Sequence, residues 1–244
     1  TCLSTCLSTC LSTCHSTLVF LQAVAKADGH LSTGIVGTRF LFESLAEHGF
    51  ASVALIAMSQ KTYPSYGYMI GQGATTLWEH WEGTRYGAAT GSRNHIMYGG
   101  HVSFLYKHVA GIAQAEGAYG WSSIVFRPGT LLDPTVARSD ACARLASANA
   151  SLAPMGAEIS VSWACEVGAA GVIVNINATV PVGAVGTVYV PAASAAGVTL
   201  NGAPVKAGTS GVVSIAMGTG LHAKAVLVRV LSGAFAFRGS SVKH

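Results

Sequence analysis

Between Lys61 and Thr90 the chain gathers Tyr63, Tyr66, Tyr68, Trp78, Trp81 and Tyr86 around two carboxylates, Glu79 and Glu82, with His80 between them. Flat aromatic faces stack on the C–H faces of a pyranose, and carboxylates accept hydrogen bonds or protons from its hydroxyls or from water, so this composition suits a sugar site. Large aromatics also dominate hydrophobic cores, and the same rings read alternatively as packing. If residues 75–82 are helical, Glu82 shares a face with Glu79 three residues earlier and raises its pKa where both are buried; as a solvated charge it has no such effect.

Other constellations carry less chemistry. His101 and His108 lie seven residues apart on one helix face, but zinc needs a third ligand and none is suitably spaced, so packing or surface roles are expected and no metal. Gly71-Gln72-Gly73 has Thr76 where a dinucleotide loop needs its third glycine. Gly208-Thr209 stands where a phosphate-binding loop needs Gly-Lys, so no nucleotide cofactor is expected. Cys2, Cys6, Cys10 and Cys14 recur every four residues in a Thr-Cys-Leu-Ser repeat. Such a stripe, with His15 beside it, offers thiols, but structural zinc sites use turn-separated cysteine pairs, and the repeat reads as low-complexity sequence. Cys142 and Cys165 suggest no disulfide framework. Asn149-Ala150-Ser151 and Asn177-Ala178-Thr179 are glycosylation sequons, usable only in a secreted protein.

The elements that must position these groups change character along the chain. Residues 17–25 form an apolar helical segment that Asp28-Gly29 breaks. Arg39 to His48 places Phe40, Leu41 and Leu45 on one side and stops at Gly49, and Phe50 to Gln60 is the return helix. Thr75 to Trp81 is a possible short helix. Ser92-Arg93-Asn94 offers caps for a long helix to about Gln114, with Val102, Leu105, Val109 and Ile112 at helical spacing. Gly99 and Gly100 inside it predict close approach of another backbone. From Trp121 onward apolar residues alternate. Ile159, Val161 and Trp163 begin a series of short strands continuing at 172–177, 186–190, 197–200, 212–216, 223–230 and 234–238, with Asn201-Gly202 as a hairpin turn. The expected class is therefore helical hairpins followed by an antiparallel β-sandwich. The expected division is a repeat over 1–16, a helical part over 17–120 and a β part over 121–244.

Composition narrows the partners. Charged side chains make up 10% of the 244 residues. An average soluble domain has roughly 25%. The surface is therefore mostly Ser, Thr, Gly and Ala. Residues 1–120 balance six basic against six acidic side chains. The net +4 comes from residues 121–244, whose eight bases are scattered singly, so the clustered stripe a nucleic-acid surface needs is missing. The apolar runs fall far short of the ~20 residues of a membrane-spanning helix. The chain starts with Thr and shows no basic, apolar-cored leader, so its compartment is not read.

The order of motifs resembles the bacterial-type α-L-rhamnosidases. The words are His30 to Thr38, Thr62-Tyr63-Pro64-Ser65-Tyr66-Gly67-Tyr68-Met69-Ile70, Gly73-Ala74-Thr75-Thr76-Leu77-Trp78-Glu79 and Ser92-Arg93-Asn94-His95. The β half continues the likeness at Ile124 to Pro128, Gly156 to Trp163, Val180 to Ala184 and Tyr189-Val190-Pro191, so it covers about residues 17–238.

The resemblance implies the last part of a six-hairpin α/α barrel followed by a β-sandwich, in an inverting glycoside hydrolase. There one carboxylic acid protonates the leaving oxygen while a carboxylate on the opposite face activates water, the two standing ~6.5–9.5 Å apart. Glu79 matches the family's base and His95 a histidine that hydrogen-bonds substrate, while Trp78, Trp81 and Tyr66 line the pocket. The implied partner is a rhamnoside. The family's general acid lies upstream, and nothing before Asp28 is acidic, so the chain reads as a fragment lacking that acid. An inactive sugar-binding remnant and a purely structural module are the alternatives.

Overall fold

The computed structural model describes residues 18–83, 91–169 and 171–242. The Thr-Cys-Leu-Ser repeat, His15 and Tyr86 lie outside the described residues. Two compact units divide between Phe104 and Leu105, ahead of the change expected at Trp121.

The first unit is helical: α1 (18–26), α2 (Ile35–Glu47), α3 (Ala51–Met58), α4 (Tyr66–Gly71), a 3-10 turn at Ile96–Gly100 and α5 (His101–Phe104). Helix α2 buries Thr38, Leu41, Phe42 and Leu45, the i, i+3, i+4, i+7 pattern of one face. Phe40, expected on that face, is instead 54% exposed, because the buried stripe centres on Leu41 and Phe42. The helix ends where Gly49 N donates to Ala46 O and Phe50 N to Leu45 O, a glycine-closed C-terminal motif. Ser65 starts α4 by accepting from Tyr68 N at 2.9 Å.

The long helix expected over 92–114 is shorter. Helical structure runs from Ile96 through the 3-10 turn, α5 and a π-type turn at Leu105–Ala110, and residues 112–114 are a strand. Gly111 explains the stop. Its φ is +96°, and a Cβ there would lie 2.6 Å from the Arg127 carbonyl carbon, so the chain turns against another backbone instead of continuing. Gly100 makes the close approach expected of it, since a Cβ would stand 2.9 Å from Cα and O of Arg39 on α2.

The second unit holds two sheets. Strands β1 (Ile112–Gln114), β2 (Ser123–Phe126), β6 (Val185–Pro191), β10 (Ala225–Val230) and β9 (Val212–Met217) form one, in the order β1-β2-β6-β10-β9. Strands β3 (Ser147–Leu152), β4 (Ile159–Gly168), β5 (Gly171–Val180), β11 (Gly233–Val242), β7 (Val198–Leu200) and β8 (Ala203–Pro204) form the other, in the order β3-β4-β5-β11-β7-β8. Pairing is antiparallel except between β2 and β6, which run parallel with Ser123 opposite Val185. Strict alternation on β4 buries Ile159, Val161, Trp163 and Cys165. These pack in one core with Ile124, Phe126, Val188, Val228 and Phe237 from both sheets. Asn201 and Gly202, with φ of +50° and +83°, make the expected two-residue turn. It closes Leu200 onto Ala203.

Two short helices, α6 (Gly129–Leu132) and α7 (Arg138–Arg144), interrupt this β unit. Cys142 on α7 is disulfide-bonded to Cys165 on β4, with Cα atoms 5.9 Å apart, which corrects the expectation of two unrelated cysteines. Their separation of 23 residues, one on a helix and one on a strand, carries no periodic signal. Both sequon asparagines are exposed, Asn149 on β3 and Asn177 on β5. Among the described residues no helix is long and apolar enough to cross a membrane.

Candidate active site

Glu79 sits in an irregular segment of bends. Glu79 N donates to Ser92 O and His95 N to Leu77 O, both at 2.8 Å, so residues 77–79 run beside residues 92–95. The possible helix over Thr75 to Trp81 does not form, because these backbone groups bond across the chain rather than four residues along it. Asn94 N donates to Ser92 Oγ at 3.1 Å, and Thr76 Oγ1 donates to Arg93 O. Two chain segments separated by more than a dozen residues thus hold one carboxylate and one imidazole together.

The Glu79 carboxylate is partly exposed, and its Oε2 accepts from Ser92 N at 2.7 Å. That backbone donor holds its pKa below the ordinary carboxylate value; partial desolvation opposes the shift, and the nearby His95 and His80 add to it. Glu79 is therefore an anion with a second oxygen to offer. Nδ1 of His95 is buried and lacks a hydrogen-bond partner among the described residues.

The three aromatic candidates are placed differently from Glu79. Trp78, Trp81 and Tyr66 are buried. Trp81 Nε1 donates to Thr33 O at 2.9 Å, and its ring lies 4.0 Å from that of Tyr98 and edge-on to Tyr66 at 5.2 Å. Tyr66 Oη donates to Tyr98 O at 2.7 Å. The polar ends of both rings are thus committed within the helical unit, and burial pushes the Tyr66 phenol above its ordinary range. Trp78 carries the Arg93 guanidinium 5.2 Å above its ring and packs so tightly on Gly83 that a Cβ there would collide with it. Tyr66 also borders an apolar groove of about 320 Å³ with Met58, Met69, Ile70, Leu77 and His101, which does not include Glu79 or His95.

Glu82 is neither a helix neighbour of Glu79 nor an isolated surface charge. Tyr63 Oη donates to it at 2.8 Å, and it lies close enough to Tyr98 to help raise that phenol to about 12, burial being the larger cause. Sequence reasoning missed this pairing, as it missed Tyr98 and the Ser92 N–H. A backbone donor has no sequence signal, and Tyr98 lay within the expected long helix. His101 Nδ1 bonds to Tyr98 O at 3.0 Å, and among the described residues no three His, Cys, Asp or Glu side chains group as metal ligands.

The site is thus a partly exposed, hydrogen-bonded carboxylate on an irregular loop of the helical unit, with two β-sheets following in the chain. Residues 15–109 match the bacterial α-L-rhamnosidase six-hairpin glycosidase domain, the family recognised from the ordered motifs. The chain is 35% identical over 150 residues to an α-L-rhamnosidase of Formosa agariphila and 32% identical over 170 residues to one of Streptomyces avermitilis. These stretches are 59% and 68% of this chain, but only 15% of each relative. Among solved structures it resembles the α-L-rhamnosidase of Dictyoglumus thermophilum, with a TM-score of 0.71 and 31% identity, over 91% of this chain and 22% of that one. It also resembles the Streptomyces avermitilis α-L-rhamnosidase complexed with L-rhamnose, with a TM-score of 0.68 and 28% identity, over 89% and 19%. The chain thus spans about a seventh of the curated relatives it matches, in the C-terminal part of those enzymes.

Proposed function

We propose that this chain is the C-terminal part of an α-L-rhamnosidase that releases terminal α-L-rhamnose with inversion, and that Glu79 is its general base. The observation that carries the reading is the Glu79 carboxylate: ionised, fixed through Oε2 by Ser92 N, and beside His95, within the stretch that matches the rhamnosidase barrel. An anchored carboxylate with one oxygen committed leaves the other to take a proton from water. The hydroxide character that develops then attacks the anomeric carbon as the leaving oxygen is protonated from the opposite face. The unpaired Nδ1 of His95 holds a sugar hydroxyl. Trp78, Trp81 and Tyr66, the last two with their polar ends committed internally, shape and stiffen the wall behind Glu79.

In this reading the second carboxyl, the acid, comes from the remainder of such an enzyme, of whose curated relatives this chain spans 15%. On that reading the 244 residues alone are expected to show no turnover of an aryl α-L-rhamnoside. The proposed organisation is the repeat over 1–16, then a barrel portion and a sandwich, whose division, expected between 120 and 121, lies between Phe104 and Leu105.

The decisive experiment places Glu79→Gln in the barrel-complete enzyme and assays an aryl α-L-rhamnoside. Loss of a general base lowers turnover by about 10²–10⁴-fold while binding changes much less. Added azide should restore turnover as a glycosyl azide of inverted configuration. If Glu82→Gln collapses activity while Glu79→Gln stays active, the wrong carboxylate has been named. If the isolated chain turns over the rhamnoside and Glu79→Gln abolishes it, the missing-acid reading fails while the base stands. A barrel-complete protein that binds rhamnose without hydrolysing it is the inactive remnant.

A further inference from the structure

The outer face of the six-stranded sheet carries a polar groove of about 510 Å³, within the β unit and sharing no residue with the Glu79 site. Register builds it. Asn149, Ser162 and Asn177 are successive partners across β3, β4 and β5, and the next position, on β11, is Ala236. One step along the strands, Ser160 and Thr179 lead to Ala234. Beyond Ala236 stands Asn201 of the β7–β8 turn, whose Oδ1 accepts from Ala236 N at 3.0 Å. Asn177 Nδ2 donates to Ser162 Oγ at 3.2 Å.

Two carboxamides therefore flank Ala236, one strand away on each side, roughly 9–10 Å apart at ~4.8 Å per strand. Both alanines are exposed, so their methyl groups form a low floor while amides and hydroxyls form the walls. The alternation of β11 sends Phe235 and Phe237 into the core and leaves these small residues outside.

The lining contains no Asp, Glu, Lys, Arg or His. A phosphate, a nucleic-acid backbone or a charged peptide finds no counter-charge there. A neutral polyhydroxylated chain does find partners, because each carboxamide offers both donors and an acceptor, the pattern adjacent hydroxyls need, over an apolar floor for ring C–H groups.

We infer that this groove binds a neutral oligosaccharide, seated along β11 between Asn177 and Asn201. It is a second carbohydrate contact of the chain and does not rest on the assignment of Glu79. Without an aromatic platform the binding is weak, with a Kd of about 1 mM.

The test titrates the isotope-labelled full chain with a neutral rhamnose trisaccharide, with maltotriose and with trigalacturonate, following the side-chain amide signals of Asn177 and Asn201 by NMR. Saturable shifts of those amides with at least one neutral trisaccharide are expected, and Asn177→Ala and Ala236→Leu should each weaken binding about fivefold. Ser160→Ala, a solvent-face change, gives a third variant, and unchanged dispersion of the core amides verifies folding in each. Silence of both amides with the two neutral sugars, shifts with trigalacturonate alone, or shifts that survive all three substitutions would overturn the proposal. A silent groove leaves the turnover assay of Glu79→Gln untouched, and a failed assay leaves this titration untouched, so the two readings fail separately.

Discussion

Trp81 and Trp163 are both buried indoles that donate to a main-chain carbonyl at 2.9 Å, Thr33 O in one case and Val109 O in the other, yet they sit in opposite kinds of structure. Trp163 lies in a regular strand, its inward direction set by strict alternation with Ser162 and Ala164. Trp81 lies in a segment without period, held by an edge contact with Tyr66, a ring contact with Tyr98 and one hydrogen bond. The β unit repeats one local rule many times, and the helical unit suspends its rule where the candidate site is built. Regular pairing leaves few backbone groups unclaimed, whereas an irregular loop can aim a Ser92 N–H at a carboxylate.

The comparison breaks most sharply if the two indoles are removed. Trp163→Ala and Trp81→Ala should each destabilise by about 3–5 kcal/mol, since each leaves a cavity and an orphaned carbonyl. In denaturant titrations read separately for each unit, each substitution should lower the midpoint of its own unit. A single shared loss for both would show that the units do not unfold independently.

The disulfide sharpens the β side. Cys142 and Cys165 stand 23 residues apart in sequence, and replacing both by alanine opens the loop between them. The β unit should then lose about 3 kcal/mol with the helical unit unchanged. Thermal melts of wild type with and without reductant give the same reading.

Smaller effects distinguish turns that need only a special backbone from those that also need space. Gly202 has open surroundings at a φ of +83°. Its replacement by alanine should cost about 1–2 kcal/mol. Gly111→Ala meets the Arg127 backbone as well as a positive φ and should cost more. Equal losses would show that the contact with Arg127 yields easily.

The smallest expected effect is electrostatic. Arg127 Nη1 donates to His222 Nε2 at 3.1 Å, and partial burial, with Arg127 second, holds the His222 pKa below its ordinary value. The unfolded chain therefore binds that proton first as pH falls, and the stabilisation is lost from the ordinary histidine range down through the folded pKa. His222→Gln should flatten this part of the stability–pH curve. Glu79 has the carboxylate version of the same sign: its pKa is depressed, so the anion persists below the usual carboxylate range. The acid limb of kcat/KM in the complete enzyme should accordingly lie low.

Much of this was legible in particular residues. The alternation of Ile159, Val161 and Trp163, the Asn201-Gly202 turn and the close approach at Gly100 were each local signals with one structural solution. Cys142 with Cys165, the pairing of Tyr63 with Glu82 and the exposure of Phe40 were not, because each depends on which of several compatible faces a neighbour covers. The carboxylate and histidine of the candidate site were named from ordered motifs, while the Ser92 donor that orients and ionises Glu79 is main chain and invisible to residue type.

By itself the sequence determined the order of helical and β parts, the strands whose apolar residues alternate, and the residue types gathered around Glu79. These follow from periodicity and composition, which are properties of short stretches. Only the tertiary structure decided that residues 77–79 run beside 92–95, that Gly111 ends the helical run, and that Asn177 and Asn201 lie on either side of Ala236. In each case the deciding hydrogen bond or steric contact joins residues more than a dozen apart, and a long-range contact outweighs the small free-energy differences by which local propensity chooses among conformations.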